Sequence, residues 1–144
     1  LDNENFVRND NKRCFYYRDE LAENLINLGK KLDAKTIVDG TQLDDLGDYG
    51  TGIDALRSNG NRSPLVEIGL TNNQIRIESK KIGLSVYDRP SNSCLASRIP
   101  WGQRVTAERL TRIEVGESFM KQILNVNKVR VRDFDRTAKI EIER

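Results

Sequence analysis

The first strongly patterned stretch of the chain predicts a helix with an apolar face. In RCFYYRDELAENLINLGKKL, from Arg13 to about Leu32, leucines recur at intervals of three and four residues. This spacing is typical of an amphipathic helix whose apolar side faces a core. The leucines expected in that core are Leu21, Leu25, Leu28 and Leu32.

Two further helices are predicted from their capping signals. Thr71, followed three residues later by Gln74, forms a capping-box pattern, and Gly83 is a suitable end for that helix. Thr106 is a suitable cap for AERLTRIEVGESFMKQIL, which has a helical pattern. The apolar residues of this last helix that are available to a core are Leu110, Ile113, Phe119 and Ile123.

Alternation and turn signals predict strands between and after these helices. KTIVDG, from Lys35 to Gly40, is typical of a short buried strand that ends at an Asp-Gly turn. KVRVRDF and AKIEIE alternate apolar and charged residues, as strands with one solvated face do. Strands that alternate with helices predict an α/β fold, and in such sheets ligands bind beyond the carboxyl ends of strands.

Composition narrows the chemistry that is available. The 144 residues contain no histidine, which excludes histidine-dependent nucleophilic catalysis and histidine zinc sites within this chain. The two cysteines are too few for a four-thiolate metal site. The 24 basic and 22 acidic residues nearly balance, which does not favour a nucleic-acid partner. No apolar run approaches the ~18 residues of a membrane span, so a cytoplasmic protein without a membrane partner is expected.

An acidic, glycine-rich segment follows the first predicted strand. Asp39, Asp45 and Asp48 lie within ten residues of one another, with Gly40 and Thr41 between them. Clustered carboxylates suit Mg²⁺, which prefers oxygen ligands and often bridges to nucleotide phosphates, and glycine lets the backbone approach a ligand. A solvated surface turn is the alternative, because turns have the same composition.

Arg130 and Arg132 alternate with Val129 and Val131 in the predicted strand KVRVR. The two arginines therefore share one face, with Cα atoms about 6.5–7 Å apart. Two guanidinium groups at this spacing can hold one phosphate or carboxylate. An ordinary half-exposed strand with outward charges is the alternative.

The segment PSNSCLASRIPWG places Cys94 among small polar residues, with Arg98 four residues later. Because a core cysteine usually has apolar neighbours, the segment predicts an exposed, electropositive loop with a reactive thiol. Without a histidine base, a thiol that donates its sulfur fits this loop better than a conventional cysteine nucleophile. An inert loop cysteine is the alternative.

Four motifs together resemble one family. VDGTQLDDLGDY, RSPL, SCLASRIPWG and VRVRDFDRTAKIEI, in this order and spacing, resemble the LarE family of ATP-dependent sacrificial sulfur transferases, which are PP-loop ATP pyrophosphatases. The resemblance covers about Arg13 to Glu143. It implies a Rossmann-like nucleotide-binding α/β sheet over residues 1–104 and the start of a small α+β C-terminal part over residues 105–144. The family's pyrophosphate loop, Ser-Gly-Gly-x-Asp-Ser, is expected before Leu1, so this chain alone is not expected to hydrolyse ATP.

The resemblance also implies an activity. Members of the family use ATP and Mg²⁺ to adenylate a carboxylate of a nicotinate-derived mononucleotide, and sulfur is then inserted toward a nickel-pincer cofactor. In the sacrificial type the enzyme's own cysteine supplies the sulfur and is left as dehydroalanine, and the resemblance assigns this role to Cys94. It assigns nucleotide binding to Asp39, Gly40, Thr41, Asp45 and Asp48, with Asp45 also as the metal ligand. It assigns substrate and phosphate binding to Ser97, Arg98, Glu117, Arg130 and Arg132.

One departure from the family bears on its cofactors. Tyr17 stands where many relatives have the second cysteine of a Cys-x-x-Cys motif, which here begins at Cys14. With Cys14 and Cys94 alone, an iron–sulfur cluster is not expected, and single-use sulfur transfer is favoured. Two other functions stay open: another PP-loop enzyme such as a tRNA-thiolating enzyme, and a nucleotide-binding protein without catalysis. A homo-oligomer is also left open.

Overall fold

The structure is a computed structural model that describes residues 1–47, 53 and 57–142. In chain order its elements include α1 (Glu4–Val7), α2 (Arg13–Lys31), α3 (Pro64–Glu67), α4 (Asn72–Lys81), α5 (Ala107–Leu124), β1 (Val129–Asp133) and β2 (Ala138–Ile142). Short 3-10 turns cover Leu43–Gly47 and Leu95–Arg98. By their internal contacts the residues divide into two compact units. We call them the Cys94 unit, Leu1–Arg13 with Pro90–Arg144, and the acidic-loop unit, Cys14–Arg89. The domain boundary expected after residue 104 stays a prediction.

The Cys94 unit has a small aliphatic core. Its buried members come from α1, from the segment after Cys94 and from α5: Val7, Ala96, Ile99, Val105 and Ile113. Phe6, Leu95 and Leu110 pack against them. Because removing apolar surface from water is the main favourable term in folding, this cluster attaches the Cys94 segment to the helix that follows it.

The two predicted strands, β1 and β2, are present and form an antiparallel ribbon. The burial expected from their alternation is confirmed for β1 but wrong for β2, where Ile140 and Ile142 are exposed. The register pairs Val129 with Ile142 and Asp133 with Ala138. Burial alternates along β1, so Val129 and Val131 are buried, whereas Arg130 and Arg132 are half-buried. Gly116 of α5 lies against Val131, whose Cγ2 would be 3.5 Å from a Cβ at that glycine. A small residue in the helix therefore lets the ribbon pack closely on α5.

The end of β1 is attached to α5 by charged groups. Arg109 Nε and Arg112 Nη2 donate to Asp133 Oδ2 at 3.2 and 2.7 Å. Burial by itself raises the pKa of Asp133, but hydrogen bonds from Arg112 and Arg109 outweigh it and hold the pKa below its usual value. The carboxylate is therefore charged at neutral pH and fixes the ribbon to the helix.

The predicted start of α5 is confirmed, whereas half of its predicted core residues are wrong. The Thr106 side chain accepts a hydrogen bond from Arg109 N at the first turn. Ile113 is buried and Leu110 packs on the core, but Phe119 and Ile123 are exposed. Phe119 follows the buried Glu117 by two positions, about 200° around the helix, so the face that buries Glu117 turns Phe119 outward.

In the acidic-loop unit, helix α2 forms over the predicted residues but buries a different face. Leu21, Leu28 and Leu32 are exposed, and the buried positions in this part of the helix are Ala22 and Gly29. A Cβ at Gly29 would lie 3.2 Å from Ile37 Cδ1. Leu25 is half-buried. The predicted leucine core is therefore wrong at Leu21, Leu28 and Leu32, because the following segment packs where the helix carries its smallest side chains.

The strand predicted at Lys35–Gly40 is reduced to an isolated parallel bridge between Val38 and Arg62. Asp39 N donates to Arg62 O and Arg62 N donates to Ile37 O, at 2.9 and 3.0 Å. Val38 is 58% exposed, so this segment is not the buried strand expected. Within the described ranges the only sheet is the β1–β2 ribbon, and the Rossmann-like sheet stays a prediction.

Helix α4 begins and ends as its sequence predicts. The capping box is present, with Thr71 N donating to Gln74 Oε1 at 2.9 Å. After the helix, Gly83 has a φ of +78°, a conformation that glycine adopts without the strain of a side chain. No helix among the residues described is long and apolar enough to cross a membrane.

Candidate functional site

Cys94 presents its side chain to solvent at the start of the 3-10 turn Leu95–Arg98. The residue is exposed and its thiol is free, as the sequence predicts. Its backbone is fixed, because its carbonyl oxygen accepts hydrogen bonds from Ser97 N at 2.9 Å and from Arg98 Nη1 at 3.1 Å. The turn therefore combines an accessible sulfur with an ordered main chain.

Arg98 and Glu117 form a buried ion pair beneath this turn. Arg98 Nε donates to Glu117 Oε1 at 2.7 Å and Nη2 donates to Oε2 at 3.2 Å. The two side chains are 3% and 5% exposed. Glu117 Oε1 also accepts from Val131 N at 3.1 Å. One carboxylate therefore connects the cysteine turn, α5 and β1.

The third nitrogen of the Arg98 guanidinium faces the cysteine loop. Besides the Cys94 carbonyl, Nη1 lies at hydrogen-bond distance from Ser93 O, Ser93 Oγ and Ser97 Oγ, at 2.8, 2.7 and 3.2 Å. The predicted neighbours Ser97 and Arg98 do lie beside Cys94. The contacts of Nη1 are all with the loop, whereas Nε and Nη2 contact Glu117.

The two predicted phosphate-binding arginines have different surroundings. Arg132 Nη2 lies 2.8 Å from Glu141 Oε2, and Arg132 Nη1 donates to Ser97 O at 3.3 Å. The hydrogen bond from Arg132, with a second from Lys139, lowers the pKa of Glu141 to about 2, and the carboxylate raises the pKa of Arg132 in turn. Within the described part of the chain, the Arg130 side chain has no ion-pair or hydrogen-bond partner, although its backbone pairs with Glu141 in the ribbon. An incoming anion would meet Arg130 unpaired but would compete with Glu141 for Arg132.

A pocket of about 230 Å³ lies on this edge of the ribbon. It is lined by Lys128, Arg130, Glu141 and Ile142. Its charged lining residues are the cations Lys128 and Arg130 and the carboxylate Glu141, and both cations can donate hydrogen bonds to an anionic group.

In the acidic-loop unit, the described carboxylates predicted to bind a nucleotide accept hydrogen bonds from their own loop and, for Asp39, from Ser63. Asp39 Oδ1 accepts from Thr41 N at 2.8 Å, and Ser63 Oγ donates to both carboxylate oxygens at 3.0 Å. Asp45 Oδ2 accepts from Gln42 N at 3.0 Å. Gly40 is exposed, and a Cβ there would meet no atom of the structure within 4 Å. These contacts are those of an ordered turn.

The described part of the loop, up to Gly47, contains no preformed metal cage. Among the residues described, no group of three or more acidic or cysteine side chains is placed to hold a metal ion. Mg²⁺ in nucleotide sites is usually held by one or two carboxylates together with the phosphates. Asp45 fits that simpler arrangement, because its Oδ1 has no hydrogen-bond partner in the ranges described. Asp48, also predicted here, lies outside the described residues.

The structure thus brings some of the predicted site residues into contact with one another. It also places beside them residues that the sequence did not indicate. Ser97, Arg98, Glu117 and Arg132 belong to one hydrogen-bonded network within the Cys94 unit. The additions to this network are Ser93 and Glu141. Glu141 lies opposite Arg130 in the ribbon register but pairs with Arg132, its diagonal neighbour.

Asn9 and Arg13 support the other side of the cysteine turn. Asn9 is fully buried, and its Nδ2 donates to Pro100 O and Gln103 O at 2.8 and 2.7 Å. Arg13 Nη1 donates to Ala96 O at 2.9 Å. No local pattern marks these residues, because their partners lie more than 80 positions away along the chain.

No protein-family model matches the chain. It is 37% identical over 140 residues to an uncharacterized protein of Synechocystis, an alignment that covers 97% of this chain and 52% of that protein. It is 28% identical over 137 residues to an uncharacterized protein of Methanocaldococcus jannaschii, covering 95% of this chain and 53% of the relative. A third relative is the pyridinium-3,5-bisthiocarboxylic acid mononucleotide synthase of Lactiplantibacillus plantarum. It is 24% identical over 137 residues, which cover 94% of this chain and 49% of the synthase.

The chain therefore spans about half the length of the curated relatives it matches. Its similarity to the synthase is distant. At this coarse level, the similarity agrees with the resemblance to LarE-type sulfur transferases found in the motifs.

Proposed function

We propose that this chain is part of an ATP-dependent, LarE-like sulfur transferase in which Cys94 donates the sulfur to a nicotinate-derived mononucleotide. The observation that carries the proposal is the exposed Cys94 thiol on a turn whose backbone is fixed by buried Arg98. The distant relative named as a thiocarboxylic acid mononucleotide synthase supports the class of product.

The proposed sulfur transfer requires a nucleophile that is accessible and held in place. Adenylation by ATP turns the substrate carboxylate into an acyl donor. The Cys94 thiol gives up its proton to solvent and its sulfur bonds to the acyl carbon. The bond from that carbon to the phosphate oxygen breaks, and AMP leaves with the electron pair. A fixed backbone at Cys94 limits the positions that the sulfur can take, which lowers the entropic cost of attack.

The basic edge of the ribbon is the proposed site for the substrate's phosphate. Arg130 and Lys128 line its pocket, and both can donate to phosphate oxygens. Arg132 serves the same group only by exchanging its contact with Glu141. We therefore assign Arg130 the larger share of phosphate binding, and Glu117 the positioning of Arg98.

The acidic-loop unit is the proposed contribution to nucleotide binding. Asp39, Gly40 and Thr41 form an ordered turn after the Val38–Arg62 bridge, and Asp48 is proposed to complete this segment. Asp45 offers Mg²⁺ its Oδ1, which has no hydrogen-bond partner among the described residues, and the ion would neutralise phosphate charge when bound. We propose that this unit forms part of a nucleotide-binding α/β sheet. We do not propose an iron–sulfur cluster.

The proposal is tested by mass spectrometry of the full-length protein incubated with ATP, Mg²⁺ and the mononucleotide acceptor. We expect the Cys94 peptide to lose the mass of hydrogen sulfide and become dehydroalanine only when ATP and acceptor are both present. Cys14→Ser is the matched control and should react normally, whereas Cys94→Ser should form no thiolated product.

Other outcomes point to other functions. Thiolated product with intact Cys94 would show that the sulfur comes from elsewhere. If no product forms and Cys94 is unchanged, the same assay with unmodified tRNA tests the RNA-thiolating alternative, and nucleotide binding without turnover indicates a non-catalytic protein.

A further inference from the structure

The carbonyl oxygen of Cys94 lies between two donors that the fold holds in place. Ser97 N is 2.9 Å from it and Arg98 Nη1 is 3.1 Å from it. These are the distances at which donors stabilise a developing oxyanion. One of the two donors is a guanidinium that is 3% exposed, so a fixed positive charge faces this oxygen.

We propose that Arg98 is a catalytic residue for the release of sulfur, because it stabilises negative charge that develops on the Cys94 carbonyl oxygen. This role rests on the sulfur transfer proposed above. It differs from substrate binding, which the sequence motifs imply for Arg98. The group that Arg98 contacts is the main chain of the cysteine itself.

The release step is an elimination with no change in overall oxidation state. Once the sulfur is bonded to the acyl carbon, the Cα–H bond of Cys94 breaks and the proton passes to solvent. The electron pair of that bond forms the Cα=Cβ double bond. The Cβ–Sγ bond breaks, and its pair leaves with the sulfur as a thiocarboxylate, so dehydroalanine remains in the chain.

Arg98 acts on the loss of the Cα proton, which is the unfavourable part of this elimination. Loss of the Cα proton delocalises charge onto the adjacent carbonyl oxygen, the atom that Arg98 Nη1 and Ser97 N contact. Arginine keeps its charge at every relevant pH. Donors that are already in position need no reorganisation as the charge grows.

The surroundings of Arg98 explain why Nη1 is available. Glu117 occupies Nε and Nη2, so these two bonds fix the plane of the guanidinium. Nη1 shares its hydrogens among Ser93, Ser97 and the Cys94 carbonyl. As the Cys94 carbonyl oxygen gains negative charge, it becomes the strongest of these acceptors. The hydrogen bonds from Nη1 are then made mainly to this oxygen.

The first test follows a single turnover in the full-length protein and its Arg98→Met and Arg98→Lys variants. Mass spectrometry separates the covalent Cys94–acyl adduct from dehydroalanine. We expect Arg98→Met to accumulate the adduct while conversion to dehydroalanine slows about a hundredfold, with a smaller effect for Arg98→Lys. Arg104→Lys, at an exposed arginine paired with Glu4, is the matched control and should convert normally.

The adduct separates catalysis from structural damage, because a variant that forms it has folded and carried out acyl transfer. The proposal is overturned if the Arg98 variants form the adduct and convert it at the rate of the unchanged protein. If the unchanged protein forms neither species, the proposed function fails, and a second test still decides whether the two donors at the Cys94 carbonyl assist loss of the Cα proton.

The second test needs neither ATP nor acceptor, and it uses the unchanged protein. A 1,4-dihalide that alkylates a thiol twice turns each exposed cysteine into a sulfonium, which leaves as a thioether when the Cα proton is lost. Cys14 is the internal reference, because it is also exposed. We expect elimination at Cys94 to be at least about tenfold faster than at Cys14 in the folded protein, since bonds to charged donors contribute this much. In urea the two rates should become equal, and equal rates in the folded protein would overturn the proposal.

Discussion

Removing the carboxylate of Glu117 is expected to destabilise the Cys94 unit strongly. Glu117→Ala leaves Arg98 buried without its counter-ion and Val131 N without its acceptor. Breaking one side of a buried ion pair typically costs about 3–5 kcal/mol. This is a large part of the ~5–15 kcal/mol by which natural domains are stable.

Two further variants separate charge from shape. Glu117→Gln keeps an acceptor for Val131 N but loses the negative charge, so a loss of about 1.5–3 kcal/mol is expected. The double variant Arg98→Met with Glu117→Leu removes both charges, and its stability should lie closer to that of the parent than Glu117→Ala, because the desolvation cost of the pair disappears with it.

The assay is urea unfolding followed by circular dichroism, with Glu114→Gln as the control. Glu114 is an exposed carboxylate on the same helix, and its substitution should change the free energy of unfolding by less than about 0.5 kcal/mol. If Glu117→Ala costs no more than this control, the argument that the ion pair connects the cysteine turn to α5 and β1 is refuted.

The remaining predictions concern groups away from this pair. Glu141 should titrate at about 2 and, after Arg132→Met, closer to 4.5, as measured by carbon NMR of the carboxyl group. Because folding lowers this pKa, the contribution of Glu141 to the stability of the folded protein is complete above about pH 4.5 and is lost as the pH falls toward 2. A Glu141 pKa near 4.5 in the unchanged protein would contradict this prediction. Thr71→Ala should weaken α4 by about 1 kcal/mol, seen as faster amide exchange there, whereas Thr71→Ser should not. Gly83→Ala should cost about 1–2 kcal/mol in thermal unfolding because its φ is +78°; the same loss for Gly40→Ala would point to a cause other than backbone strain.

Elements whose signals are local were predictable from the sequence. Helix α4 forms between the Thr71 cap and Gly83 because both ends depend on contacts within a few residues. The ribbon follows from alternation, which places the Val129 and Val131 side chains on one face whatever lies beneath them. The exposure of Cys94 follows from its small polar neighbours for a similar reason.

The choice of buried helix face was not predictable in the same way. The leucines of α2 satisfy the helical period, but packing selected Ala22 and Gly29 because Ile37 approaches the helix closely. In α5, Phe119 also satisfies the helical period, but it lies on a different face from the one that is buried. Hydrophobic periodicity gives the spacing of a face, whereas its direction depends on segments that pack from elsewhere in the chain.

The sequence by itself determined which residue types are present and where short-range structure begins and ends. It indicated the Cys94 loop, the Arg130–Arg132 alternation and the acidic turn as candidates for chemistry. Only the tertiary structure decided what each charge contacts: Arg98 is buried against Glu117, Arg132 is paired with Glu141, and Arg130 faces a pocket. The physical reason is that an ion pair forms between side chains brought together in space, and the partners here lie 19 and 9 positions apart in different elements.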